Sequence, residues 1–200
     1  FIGLFILLLI PLVSSVSVYD DAVAIYNLEN TMNYNNSRYD FIRAGGINST
    51  NKNCIIGGCY YFDGVNDYFN LTNNLNLGEN WTFSFWMNET TESITNRILF
   101  GGTNISGNPS YFNYIFQSNN MYHALYPDAQ YNYAYTVTSS MNHHVYVKNQ
   151  THFVHYKNGI ILNSHTLVIP QNGYYFGRLG SNYPDPSGYY FKGRVDELAI

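Results

Sequence analysis

Charge is scarce in this sequence. Only 11% of its 200 residues are Asp, Glu, Lys or Arg, and 13 acidic residues against 9 basic ones leave a net charge of −4. The basic residues form no cluster that could neutralise phosphates, so nucleic acid is a poor partner. The same lack argues against an anionic membrane surface. Cysteine occurs only at Cys54 and Cys59, and two thiolates cannot complete a structural zinc site. No stretch of ten residues carries a capped hydrophobic period of 3.6, so long helices are not expected. A Gly-x-Ser-x-Gly elbow and a Gly-rich phosphate loop are both missing. One long apolar run exists, Phe1 to Val13. It falls short of the ~20 residues a membrane span needs. The run ends in small residues, Ser14-Ser15-Val16-Ser17, as a cleavage site would. Residues 1–17 therefore read as a secretory signal peptide, clipped because its initiating Met and basic n-region are missing. A buried apolar strand or an uncleaved anchor is the alternative. No other segment could span a bilayer.

Aromatic residues, by contrast, make up 18% of the chain, with 21 tyrosines. Such a chain can bury a large core, which argues against disorder. Its length suits one all-β domain over residues 18–200. Cys59-Tyr60-Tyr61-Phe62-Asp63-Gly64-Val65-Asn66-Asp67-Tyr68-Phe69-Asn70-Leu71 predicts a hairpin turning at Asp63–Asn66, because Asp-Gly between aromatic runs favours a tight turn. Leu28 to Asn53 is polar and reads as a long loop, and Thr72 to Asn80 as a connector. Trp81, Phe83, Phe85 and Met87 alternate with Thr82, Ser84, Trp86 and Asn88, predicting a strand with one apolar face. Tyr111–Gln117 and Met121–Tyr126 read as a hairpin, followed by alternating Tyr131, Tyr133 and Tyr135. His143–Lys148 and His152–Lys157 are further strands. Asn158-Gly159 is the clearest two-residue turn, joining Phe153–Lys157 to Ile160–His165. Gly173–Gly180 and Tyr189–Ile200 complete the set. Short strands at a spacing of about 8–12 residues argue for an antiparallel two-sheet sandwich.

In an exported chain, Cys54 and Cys59 form a plausible local disulfide across Ile55-Ile56-Gly57-Gly58; free thiols are the alternative. Seven Asn-x-Ser/Thr sequons occur, at Asn35, Asn48, Asn70, Asn80, Asn88, Asn104 and Asn149. They are candidate glycosylation sites, or chance products of an Asn- and Thr-rich chain. Asn80 ranks last because it abuts a core strand.

Five segments taken in order resemble a known family. They are Tyr61-Phe62-Asp63-Gly64-Val65-Asn66-Asp67-Tyr68; Trp81-Thr82-Phe83-Ser84-Phe85-Trp86-Met87; His143-His144-Val145-Tyr146-Val147; Tyr156-Lys157-Asn158-Gly159; and Phe191-Lys192-Gly193-Arg194-Val195-Asp196-Glu197-Leu198-Ala199-Ile200. In this order and spacing they resemble laminin-G-like, concanavalin A-like lectin/glucanase domains. The likeness runs from about Ala24 to Ile200, and the family pattern continues past it, as if the chain were clipped there too. It implies a jelly-roll sandwich of two curved antiparallel sheets. It further implies a non-enzymatic, extracellular or cell-surface module of a larger protein, binding carbohydrate or protein ligands and often calcium, as in cell adhesion.

Calcium needs six to eight oxygen ligands. The candidates are Asp63, Asn66, Asp67 and Asp196, with Glu197 and either Glu29 or Asp40 as further donors. The opposing reading is that these carboxylates cap their own turns and pair with Arg194 or Arg178. His143, His144, His152 and His155 lie on two neighbouring strands, where ordinary strand histidines are the better reading than a zinc site. Trp86, Tyr131, Tyr133, Tyr135 and Tyr183 are candidates for stacking on sugar rings, against the alternative that tyrosines pack with hydroxyls at the rim. Retaining glucanases of this fold place carboxylates on one strand face. Here Asp196 and Glu197 are adjacent and are expected to point apart. The favoured function is carbohydrate binding; a structural protein-interaction domain and a divergent glycosidase are the alternatives.

Overall fold

The computed structural model describes residues 22–29, 37–89, 97–104, 112–117, 120–125, 129–167, 174–182 and 188–200. The leader read at residues 1–17, Asn35 and Tyr183 lie outside these. In chain order the described strands are β1 (Ile25–Tyr26), β2 (Phe41–Ala44), β3 (Asn48–Thr50), β4 (Cys59–Asp63), β5 (Tyr68–Gly78) and β6 (Trp81–Glu89). They continue as β7 (Arg97–Ile98), β8 (Phe100–Asn104), β9 (Phe112–Gln117), β10 (Asn120–Leu125), β11 (Ala129–Ala134) and β12 (Asn142–Lys148). The last four are β13 (His152–Lys157), β14 (Ile160–Thr166), β15 (Tyr174–Leu179) and β16 (Lys192–Ala199). A 3-10 turn, Ser37–Tyr39, precedes β2. Among the described residues no helix is long and apolar enough to cross a membrane.

The strands form an antiparallel jelly-roll sandwich. The front sheet runs β14-β13-β12-β6-β16-β4-β3, with β1 paired to the end of β16. Behind it lie β2-β5-β15-β8 and β11-β10-β9-β7, with β8 beside β9. The first described strand therefore meets the last, Ile25 opposite Ala199 and Tyr26 opposite Leu198. The predicted alternation in β6 holds: Trp81, Phe83, Phe85 and Met87 are buried. Phe83 meets Phe100 and Phe176 of the back sheet at ring separations of 4.9 and 5.3 Å, and Phe85 meets Phe100 at 4.9 Å. Asn158 (φ 51°) and Gly159 (φ 78°) adopt the left-handed turn expected between β13 and β14.

Three expectations change. The stretch from Cys59 to Leu71 is not a hairpin, because β4 and β5 lie in different sheets: β4 pairs with β16 and β3, β5 with β15 and β2. The Asp-Gly turn is a corner between layers. It brings Phe62 and Phe69 together across the core at 5.8 Å, edge to face. Asp67 braces it, accepting from Asp63 N–H (2.9 Å) and Gly46 N–H (2.8 Å). The polar segment before Cys54 contains β2 and β3, each short and leaning on a longer neighbour. The connector after Leu71 is the second half of β5, whose Leu75 and Leu77 enter the core.

Cys54 and Cys59 are joined by a disulfide. The loop it closes lies against β16, where Ile55 and Ile56 N–H groups donate to Asp196 Oδ2 (2.8 and 3.4 Å). At the opposite end of the sheet, β14 is an edge strand with Ile160, Ile161 and Leu162 exposed.

Two histidines lie wholly inside the sandwich. His144 Nδ1 and His155 Nε2 are 2.9 Å apart, and the Tyr133 hydroxyl is 2.6 Å from His155 Nδ1. His144 stacks on Phe85, His155 on Tyr146, and the outer Nε2 of His144 has no partner. One proton serves the contact between the two rings, so a doubly protonated pair would set N–H against N–H. Burial, then the neighbouring His155, Lys157 and His143, hold the His144 pKa well below the usual histidine value.

The close approach at Gly180 (φ 97°) generates one prediction: a Cβ there would sit 2.5 Å from the Phe62 ring. Gly180→Ala is expected to lower the unfolding free energy by roughly 2–4 kcal/mol, read by urea titration. The buried histidine generates another. The unfolded chain takes up a proton on residue 144 near pH 6.5 while the folded chain does not, so stability falls as pH drops below that value. Relative to His144→Phe, which keeps the stack on Phe85, the wild type should lose up to about 1.4 kcal/mol per pH unit below 6.5. Parallel slopes for the two proteins would refute it.

Candidate functional site

Because Phe83 and Phe85 point into the core, Thr82, Ser84 and Trp86 of β6 must face outward. Beside them β5 ends in a tight turn through Gly78 (φ 64°), Glu79 and Asn80 before β6 begins. Lys148 fastens this turn. Its ammonium, almost entirely buried, donates to Glu79 C=O at 2.8 Å, and Gln150 donates to the Glu79 carboxylate at 2.7 Å. Burial lowers the Lys148 pKa and the Glu79 charge partly restores it.

A groove of about 550 Å³ opens between this turn, the outward face of β6, His143 of β12, and the paired segments Ala22–Val23 and Ala199–Ile200. Its apolar wall includes Leu75, Leu77, Trp81 and Ile200. Its polar groups are Asn76, Asn80, Thr82, Ser84 and His143. Among the described lining residues none carries a formal charge at neutral pH. Ser84 Oγ and His143 Nε2 are 2.9 Å apart, and the His143 backbone N–H donates to Asn158 Oδ1 at 2.9 Å. Partial burial lowers the His143 pKa, so its ring is neutral at pH 7 and can both donate and accept. Trp86 lies just beyond the groove, opposite His143 in the strand register with ring centroids 5.0 Å apart.

The other predicted aromatic residues do not join Trp86. Tyr131 stacks on His165 at 3.8 Å. Tyr133 points inward to His155, and burial raises its hydroxyl pKa. Tyr135 is 4% exposed, with Lys157 Nζ 4.5 Å from its ring centre. These three line the inner side of the sandwich, while Trp86 faces out. Tyr183 lies outside the described residues.

The oxygen donors are likewise divided. Asp63 Oδ1 accepts from Val65 and Asn66 N–H groups (2.7 and 3.4 Å), and both Asp67 oxygens are engaged at the corner. Asn66 is exposed at the turn. Burial is the main cause of the raised Asp67 pKa. In the antiparallel pair β4–β16, Asp63 stands opposite Lys192 and Tyr60 opposite Val195, which places Asp196 at the far end of β4. The four candidates thus meet at two places, not one. Among the described residues no three His, Cys, Asp or Glu side chains are disposed to hold a metal ion. His143 and His144 take opposite faces, as alternation requires.

Strand alternation fails locally at Asp196–Glu197. β16 bulges against β6 there, with Glu197 at φ 48°. Burial raises both carboxyl pKa values, and repulsion from Glu29 adds to each. Asp196 is fully buried and bonded to the Ile55, Ile56 and Glu197 amides.

Sequence reasoning missed the groove because residues 72–80 read as a connector. The apolar residues Phe69, Leu71, Leu75 and Leu77, at spacings of two and four, were the available signal.

No match is found among curated proteins. Among solved structures the chain is similar to domain 4 of AbnA, a GH43 extracellular arabinanase from Geobacillus stearothermophilus, in complex with arabinotriose. The TM-score is 0.68 at 18% identity, covering 89% of this chain and 90% of that one. It is also similar to the receptor binding domain of botulinum neurotoxin C/D mosaic serotype (TM-score 0.62, 15% identity, 91% and 48% covered). A third likeness is to the binding domain of Paraclostridial Mosquitocidal Protein 1 (TM-score 0.60, 13% identity, 90% and 48% covered). The chain spans about half the length of those two binding domains. At such identities the likeness establishes the fold. Residues 63–200 match the family model Laminin_G_3, and with most of its length so covered the chain belongs to this family of the concanavalin A-like lectin/glucanases superfamily.

Proposed function

We propose that the chain is a non-enzymatic, extracellular carbohydrate-binding module and that its ligand lies in the groove beside β6. The observation that carries this is the groove's lining: amides, hydroxyls and a neutral imidazole beside an apolar wall. A sugar presents the matching pair, hydroxyls at its edge and C–H groups on its face. The lack of formal charge on the described lining favours an uncharged sugar. Hydrolysis of a glycosidic bond draws on two carboxylates. The described lining holds neither, and Asp196 is occupied in holding the disulfide loop, so binding is the better reading. The arabinotriose in the AbnA domain complex supports the ligand class. The disulfide supports an oxidising, extracellular setting.

The test is binding of the full chain to an array of neutral and acidic glycans, arabinotriose among them, with calcium and with EDTA. Neutral oligosaccharides are expected to bind, and His143→Ala to weaken them about tenfold, one hydrogen bond's worth, without altering the circular dichroism spectrum. The EDTA arm reads whether calcium takes part. A folded protein that binds no glycan in either condition would refute the reading and favour a protein partner.

A further inference from the structure

Asn80 ranked last among the sequons from sequence because it abuts a core strand, yet the structure places it on the surface. Asn80-Trp81-Thr82 turns only its tryptophan into the core; Asn80 and Thr82 are both exposed on the rim of the groove. Among the described residues neither the Asn80 amide nor the Thr82 hydroxyl is held by a hydrogen bond. The turn bearing Asn80 is itself fixed from beneath by Lys148 and Gln150. Other sequons fare differently. Asn88 is 3% exposed, with its Nδ2 donating to Ser139 C=O and its Oδ1 accepting from Arg194 N–H, leaving no room for a sugar. Asn70 Oδ1 accepts from Arg178 Nε, and Asn149 Oδ1 accepts from the Thr151 and His152 N–H groups, so each side chain is tied to its own surroundings through its oxygen. Asn48 is exposed but lies on β3, far across the front sheet from β6.

We propose that Asn80 is an N-glycosylation site whose first sugar sits in the mouth of the groove, so that the chain's own glycan gates access to it. The inference rests on the export and groove reading above. In the modification, Asn80 Nδ2 attacks the anomeric carbon of a polyprenyl-pyrophosphate-linked oligosaccharide. The N–C bond forms, the bond from that carbon to the pyrophosphate oxygen breaks, and the amide proton passes to the transferase base. The attached N-acetylhexosamine is neutral and meets the same amide, hydroxyl and imidazole groups that a free sugar would meet.

The experiment secretes the full chain from an N-glycosylating eukaryotic host and maps occupancy by glycopeptide mass spectrometry. Asn80 is expected to be occupied and Asn88 empty; an unmodified Asn80 in the folded, secreted protein overturns the assignment. Gating is read without any added ligand, as nuclear Overhauser contacts between the first sugar's N-acetyl methyl and the His143 ring. Their absence in the occupied protein overturns the gating. The same chain made in a host lacking N-glycosylation should bind arabinotriose or another neutral array glycan at least tenfold more tightly than the occupied form. Equal binding also overturns the gating. If neither form binds any glycan, the carbohydrate-binding reading fails, while occupancy and the ring contacts still decide the present proposal.

Discussion

The aromatic contact between β6 and the back sheet governs the rest of the molecule. Phe83 and Phe85 each reach Phe100, and Phe83 also reaches Phe176. Burying such rings contributes on the order of 2–3 kcal/mol each. Strand geometry then leaves no freedom about the other face: Thr82, Ser84 and Trp86 must look outward. The chemistry of the groove is therefore a by-product of core packing in the same strand. A one-residue slip of β6 against β12 or β16 would send Ser84 into the core and Phe83 into solvent.

Several buried ionisable groups are met by backbone partners. Lys148 is met by the Glu79 carbonyl, Asp67 by two amides at the corner, and Asp196 by amides of the disulfide loop and its own neighbour. Each of these side chains joins segments far apart in sequence. Asp67 and Asp196, two of the candidate calcium donors, thus also act as fasteners, since a buried polar group left unpaired costs about 1–3 kcal/mol.

Much of the fold was legible in the residues. The alternation in β6, the Asn158-Gly159 turn and the pairings β9–β10 and β12–β13 all follow from local pattern. What was not legible is partner choice. Asp63-Gly64 announces a reversal, but whether the returning strand pairs with its predecessor or crosses to the other layer depends on β15 and β16, more than a hundred residues later. The polar residues Asn73, Asn74 and Asn76 disguised half of β5, because the strand keeps only one face in the core. The candidate groove was less legible still. Trp86 stands beside it, Tyr131, Tyr133 and Tyr135 pack in the interior, and Asn76, Asn80 and His143 converge only through the turn and the neighbouring strand.

The placement of β16 has a kinetic consequence. This last described strand lies mid-sheet, flanked by β6 on one side and by β4 and β1 on the other. Its contacts span most of the chain, so a large loop must close before any of them form, and closure entropy slows such steps. The meander β12-β13-β14 can assemble from neighbouring segments, whereas the middle of the sheet waits for β16 to arrive. Until they do, β4 and β6 each present a bare edge, and a chain stopped short of Val195 would keep both exposed throughout its lifetime.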